Sequence, residues 1–303
     1  MFSSVIWRSL AVALAMFCLF LAFGCRTASE SAVEVASAGD PLPNLRRAVA
    51  GVWSGGAPAG GEAFRRLRAM GVSMVVSVDG ARPDVIGARS EGLRYVHIPI
   101  GYDGIPEAAR RQLARVALEA DGTVYIHCHH GRHRAPAAAA IVCMAGKAMS
   151  RSQAIDYLAD AGTSRDYVGL WRDVKGFRQP LAQELLPELV PVAEVDSLTA
   201  AMAGLDRAWD RLNSLRRNGW KPLAGHPDIT AAREALLLEE GFRESVRALG
   251  ADGEPSLRSG LNQAEANARA LGRALGDGRL EQAAALGDEL KRSCAACHQR
   301  QRN

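Results

Sequence analysis

Strand-forming sequence is confined to the first half of this chain, and that asymmetry limits the fold more than any other feature. VSMVVSV (72–78), RYVHIPI (94–100) and TVYIHC (123–128) are β-branched runs of buried-strand character, and residues 44–53 read as an edge strand. Helical patterns fall between and after them, over 62–70 (stopping at Gly71), 83–91, 106–120, 135–148, 151–161 and 164–177. Strands alternating with helices predict parallel βαβ units, hence an α/β domain over 44–178 with a central, mostly parallel sheet flanked by helices. Residues 179–195 carry Pro180, Pro187 and Pro191 and read as a linker. Beyond them no strand signal remains. Ala/Leu/Arg/Glu-rich segments near 196–216, 228–249, 256–275 and 279–300 predict an all-α four-helix bundle over 196–303.

The first 43 residues belong to neither half. Arg8 precedes an apolar run over 9–23, too short for a comfortable membrane span and of the length of a signal-peptide core. It ends at Ala22-Phe23-Gly24-Cys25, which resembles a bacterial lipobox. The resemblance implies a signal peptide over 1–24, a lipid on Cys25, and an exported, periplasmic protein held to a membrane by that anchor. Residues 25–43, small and polar with two prolines, read as a flexible tether. The net charge of +4, from 37 basic and 33 acidic residues, is spread without a dense basic block, so nucleic acid is not an expected partner.

The sequence His127-Cys128-His129-His130-Gly131-Arg132-His133-Arg134 fits His-Cys-x5-Arg, directly after a strand and before a helix. Five residues between Cys and Arg can curl so that their backbone N–H groups converge on one point, an anion nest at a helix N-terminus. Those N–H groups and the helix dipole would hold Cys128 as a thiolate at the nest floor. Arg134 can grip phosphate oxygens with its fork, Gly131 permits the curl, and Pro136 suits the first helical turn. The region resembles the dual-specificity branch of the cysteine-dependent protein phosphatases. That resemblance implies a phosphorylated substrate, attack by Cys128 on phosphorus, a phosphocysteine intermediate and its hydrolysis by water. It also implies an upstream aspartate as general acid. Asp103 is the best match, with Asp79 second and Asp84 third. The family usually carries Ser or Thr after the Arg, whereas this chain has Ala135, which predicts slow breakdown of the intermediate or an altered role for the site. His129, His130 and His133 on one nest loop point in divergent directions and are not expected to bind a metal among themselves.

Near the other end stands Cys294-Ala295-Ala296-Cys297-His298, the c-type haem attachment pattern. Two thiols so spaced can add to the haem vinyl groups, and the adjacent His298 then ligates iron. No second Cys pair remains for a zinc site. A motif at the end of the last helix resembles the cytochrome c-prime group of four-helix cytochromes. The resemblance implies one covalent haem c and an open or Met-ligated opposite face. Met202, the only methionine after residue 195, is the candidate sixth ligand, with His226 a further candidate. Cys18 lies in the signal core, Cys143 reads as helix core and His97 as a packed strand histidine.

Three functions stay open from sequence: a phosphatase fused to a haem domain that senses redox state or a gas or passes electrons to a redox partner; a thiol or sulfur redox enzyme with haem as acceptor; and a catalytically dead anion-binding electron-transfer lipoprotein.

Overall fold

The computed structural model of this protein describes residues 40–181, 183–223 and 229–301. The expected signal, Cys18, Cys25 and His226 lie outside the described residues.

Five strands, β1 (Arg46–Val49), β2 (Val52–Gly55), β3 (Val72–Ser77), β4 (Arg94–His97) and β5 (Thr123–His127), form one sheet in the order β1-β2-β5-β3-β4. All neighbours are parallel except β1 and β2. The expectation of a single edge strand over 44–53 is therefore corrected. The chain reverses through Gly51 at φ +79°, which glycine adopts without strain. The result is a hairpin whose second strand lies inside the sheet against β5.

Six helices cover the sheet: α1 (Gly60–Ala69), α2 (Val85–Ser90), α3 (Glu107–Glu119), α4 (Arg134–Ala145), α5 (Arg151–Asp160) and α6 (Val168–Lys175). Every residue of α4 from Arg134 to Met144 is buried. A helix apolar on all sides belongs in a core, and its four consecutive alanines, Ala137 to Ala140, let neighbouring elements approach closely. Leu113, Ile126, Ile141, Leu158 and Leu170 are fully enclosed around it. Each such side chain contributes about 1.5–3 kcal/mol relative to exposure.

Residues 183–195 run as a strap without helix or strand, pinned to the α/β half. His97 N–H donates to Val190 O at 2.9 Å, and the side chains of Arg111, Gln112 and Arg115 donate to the carbonyls of Leu185, Glu188, Leu186 and Pro187. The prolines prevent a helix there, which leaves those carbonyls free to accept.

Four helices follow: α7 (Ser197–Arg217), α8 (Ala231–Ala248), α9 (Pro255–Gly276) and α10 (Leu280–Gln301). Asp196, Thr230 and Glu254 cap α7, α8 and α9 by accepting from first-turn N–H groups. Helix α7 packs on α8, α8 on α9 and α9 on α10, around Leu212, Leu215, Leu238, Leu271 and Leu290. Arg211 pairs with buried Glu234 at 2.8 Å, and Arg216 joins α7 to Asp288 of α10 at 2.7 Å. Among the described residues α7 and α10 share no extended packing seam. No described helix is long and apolar enough to cross a membrane.

Candidate active site

Strands β3 and β5 run parallel with Ser77 opposite His127, so Asp79 and Cys128 leave the sheet side by side at its C-terminal edge. Crevices at that edge are where open α/β sheets bind ligands. Gly131 lies at φ +78°, and a Cβ on it would collide with the Gly55 carbonyl carbon and the Gly56 nitrogen. Only glycine fits there.

The loop carbonyls are tied outward. His129 O accepts from Ala57 N–H at 3.0 Å, His130 O from Asn44 Nδ2 at 2.7 Å, and Arg132 O from Thr163 Oγ1 at 3.0 Å. This arrangement leaves the inner side of the loop to N–H groups, and that of Gly131 donates to Cys128 Sγ at 3.3 Å. The N-terminus of α4 adds its positive field from below. Cys128 is 2% exposed and bridged to no other cysteine.

Arg134, 6% exposed, donates from Nη2 to Asp79 Oδ1 at 2.9 Å and lies over the Tyr102 ring at 4.4 Å. Burial opposes its charge, but Tyr102, Cys128 and Asp79 outweigh burial and hold it firmly protonated. Its buried Nε has no hydrogen-bond partner. A buried, unmet guanidinium N–H beside an N–H-lined loop is a donor set suited to an oxyanion.

The aspartates divide by role. Asp79 is buried, and burial alone would raise its pKa. The charges of Arg134 and Arg207 prevail and keep it ionised well below the usual carboxylate range. A carboxylate so held is an ion-pair partner and not a proton donor. Asp84 accepts from Gly87 N–H at 2.8 Å and caps α2. Asp103 is exposed, its carboxylate in no contact with Cys128 or Arg134 among the described residues, while its neighbour Tyr102 stacks on Arg134. The turn is braced from α6 and its neighbour: Ile105 N–H donates to Asp173 Oδ2 at 2.7 Å, and a Cβ on Gly169 would collide with the Asp103 carbonyl. Among the described residues, Asp103 is thus the one of the three whose carboxylate is engaged in neither an ion pair nor a helix cap.

Around them, His127 is fully buried beside the Tyr95 hydroxyl, and burial pushes it down to about 4, so the ring is neutral. His133 accepts from Ser164 N–H at 3.2 Å and packs against Tyr167 and Tyr102. Arg132 is exposed. Ala135 is buried in the first turn of α4 and offers no hydroxyl. Burial pushes the thiol of Cys143 up to about 12, as suits a core cysteine.

The helical half reaches this site, which sequence reasoning missed. Arg207 of α7 donates to Asp79 Oδ2 at 2.5 Å. Asp210 Oδ2 lies 2.9 Å from His129 Nε2 and 3.0 Å from His130 Nε2. A Cβ on Gly80 would press on Thr199 of the same helix. Asp206, Arg207 and Asp210 share one helical face by their i, i+1, i+4 spacing, but nothing local says what that face meets.

Met202, one turn before Asp206 on α7, lies at the margin of the helical core, as does Cys294. Cys294 and Cys297 are half-buried, three residues apart on α10 and not disulfide-bonded, and His298 follows on the exposed side. Gly260 of α9 leaves space before Cys297 Sγ, which would lie 4.0 Å from a Cβ there. Burial, then the neighbouring Cys297, pushes the Cys294 thiol up to about 11. Two free thiols one turn apart beside a histidine are a donor set that fits covalent attachment of haem.

No protein-family model and no curated protein matches this chain. Among solved structures, TpbA of P. aeruginosa aligns with 50% of this chain and 94% of its own, at 21% identity and a TM-score of 0.40. Human DUSP28 aligns with 46% of this chain and 96% of its own, at 19% identity and a TM-score of 0.36. The core catalytic domain of the PP-IP phosphatase SIW14 from S. cerevisiae, in complex with citrate, aligns with 46% of this chain and 87% of its own, at 14% identity and a TM-score of 0.39.

Proposed function

We propose that this chain is an exported, cysteine-dependent phosphatase that hydrolyses a phosphoester, and that its helical half carries one covalent haem c for redox or gas sensing or electron transfer. One observation carries the phosphatase reading. Cys128 sits on the floor of a loop whose carbonyls are tied away, under a donating Gly131 N–H and beside a buried Arg134 with an unmet N–H. In this reading the Cys128 thiolate attacks phosphorus, and the loop N–H groups and Arg134 take up the charge on the non-bridging oxygens. Asp103 protonates the leaving oxygen, a step of the kind that contributes about two to four orders of magnitude. Water then attacks the phosphocysteine, and phosphate and the thiolate are released. Without a hydroxyl at Ala135 to assist thiolate departure, this second step is the slower one.

Cys294 and Cys297 would hold the haem by thioether bonds, with His298 and Met202 as the residues that would ligate its iron. Haem supplies one-electron redox chemistry and a site for diatomic gases. Attachment outside the cytoplasm accords with the expected signal peptide and the lipid anchor at Cys25.

The test is hydrolysis of p-nitrophenyl phosphate by the mature chain. We expect turnover with a burst of nitrophenol, because hydrolysis of the intermediate is slow, and a fall to the background rate in Cys128→Ser. Turnover that persists in Cys128→Ser overturns the reading.

A further inference from the structure

The loop histidines, which by themselves point in divergent directions, gain carboxylates from α7. One ring nitrogen each of His129 and His130 and a carboxylate oxygen of Asp206 all lie within 4.8 Å of one another. His130 Nδ1 is 4.0 Å from Asp206 Oδ2. Asp210 Oδ2 sits beside Nε2 of both rings and fixes their orientation, the part that an outer carboxylate plays around metal-bound histidines. His129 Nδ1 is buried without a hydrogen-bond partner, so this cluster contains a donor nitrogen that the protein leaves unused.

We propose that His129, His130 and Asp206, with Asp210 behind them, form a site for a first-row divalent transition-metal ion of the zinc type, shared between the nest loop and α7. Two imidazoles and a carboxylate make three ligands of borderline character and leave a coordination position for water. Two carboxylates balance the charge of the ion. Arg132, whose charge bears on His130, works against it but is exposed to solvent. A hard cation such as Mg2+ prefers an all-oxygen shell and is disfavoured by the two imidazoles. The consequence is mechanical. Because His129 and His130 directly follow Cys128, a bound ion would clamp α7 to the loop that forms the anion cradle. Metal occupancy would thereby set how rigidly the helical half covers that loop. The site stands on its own geometry, whether or not Cys128 is a nucleophile.

The test uses the full-length chain, stripped by a chelator and titrated with Zn2+ in a calorimeter. We expect one equivalent to bind with micromolar or tighter affinity and to raise the unfolding temperature. Asp206→Asn and His130→Gln, each checked for native circular dichroism, should weaken that equivalent by at least about tenfold. Asp252→Asn, at an exposed turn, should leave it unchanged. Zn2+ held by Cys294 and Cys297 would survive both ligand substitutions, which separates the two sites. Undiminished binding in both variants overturns the proposal, as does the absence of any binding in the unaltered chain.

Discussion

At the scale of single residues, His97 shows how one buried ring can join two segments. Its Nε2–H donates to the Asp79 carbonyl at 2.8 Å, and its Nδ1 accepts from Ala193 N–H at 3.2 Å. Only the neutral ring can do both, and burial lowers its pKa below the ordinary 6.5 accordingly. The sign follows from linkage. Above pH 6.5 the ring is neutral folded or unfolded, and its stabilising contribution is fully present. As pH falls below 6.5 the unfolded chain takes up a proton that the folded ring resists, so stability is lost. Protonation would also set an N–H against the Ala193 N–H and loosen the strap. We therefore expect faster amide exchange over residues 189–193 at pH 5 than at pH 7, after correction for intrinsic exchange rates. Equal protection at both pH values would show that His97 does not hold the strap.

At the scale of elements, Arg207 is one of the ties that bind α7 to the sheet edge, and burial decides how much it is worth. Arg207 meets a carboxylate that is 2% exposed, whereas Arg243 reaches Glu239, Glu240 and Glu265 across a more open helix surface. Counting partners would favour Arg243. Surface pairs contribute about 0–1 kcal/mol, while removing a partner from a buried charge costs several, reduced here because Arg134 still holds Asp79 and Arg207 is partly solvated. Urea unfolding should thus show Arg207→Gln costing about 1–2 kcal/mol and Arg243→Gln under about 0.5. The reverse order would mean that α7 is not anchored at Asp79. The same contrast explains what the chain discloses before folding. The Cys128–Arg134 spacing, Gly131 and the 294–298 motif are local, so sequence reveals them. The roles of Asp79, Arg207 and Asp210 depend on a helix meeting loops 81 and 128 residues away in the chain, which leaves no period or spacing to read. The β1–β2 hairpin was hidden for a smaller reason: the turn is short and the strands have four residues each, below the length at which alternation becomes distinctive.

At the scale of the whole molecule, α7 adjoins both the nest loop and the helical core. Arg207 meets Asp79 and Asp210 meets the nest loop, while Met202 and Cys294 lie at the margin of the helical core. Asp206 belongs to both sides, since it neighbours the loop histidines and its charge also raises the Cys294 thiol. If an iron held at Cys294 and Cys297 lies on the order of 15 Å from the anion cradle, its charge acts on a bound anion across that gap. At an effective dielectric of about 20, one unit of charge at that distance is worth about 1 kcal/mol, or about fivefold in an anion's affinity. Reduction removes one positive charge, which fixes the direction. The oxidised, haem-loaded chain should bind inorganic phosphate a few-fold more tightly than the reduced chain, measured calorimetrically without turnover. Added salt should shrink the difference as screening grows. Weakening the α7 anchor by Arg207→Gln would not abolish a purely Coulombic effect, but it would abolish one transmitted by movement of the helix. A difference that survives Arg207→Gln and fades with salt therefore identifies through-space coupling, and identical phosphate affinities in both oxidation states would show the two halves to be electrostatically independent.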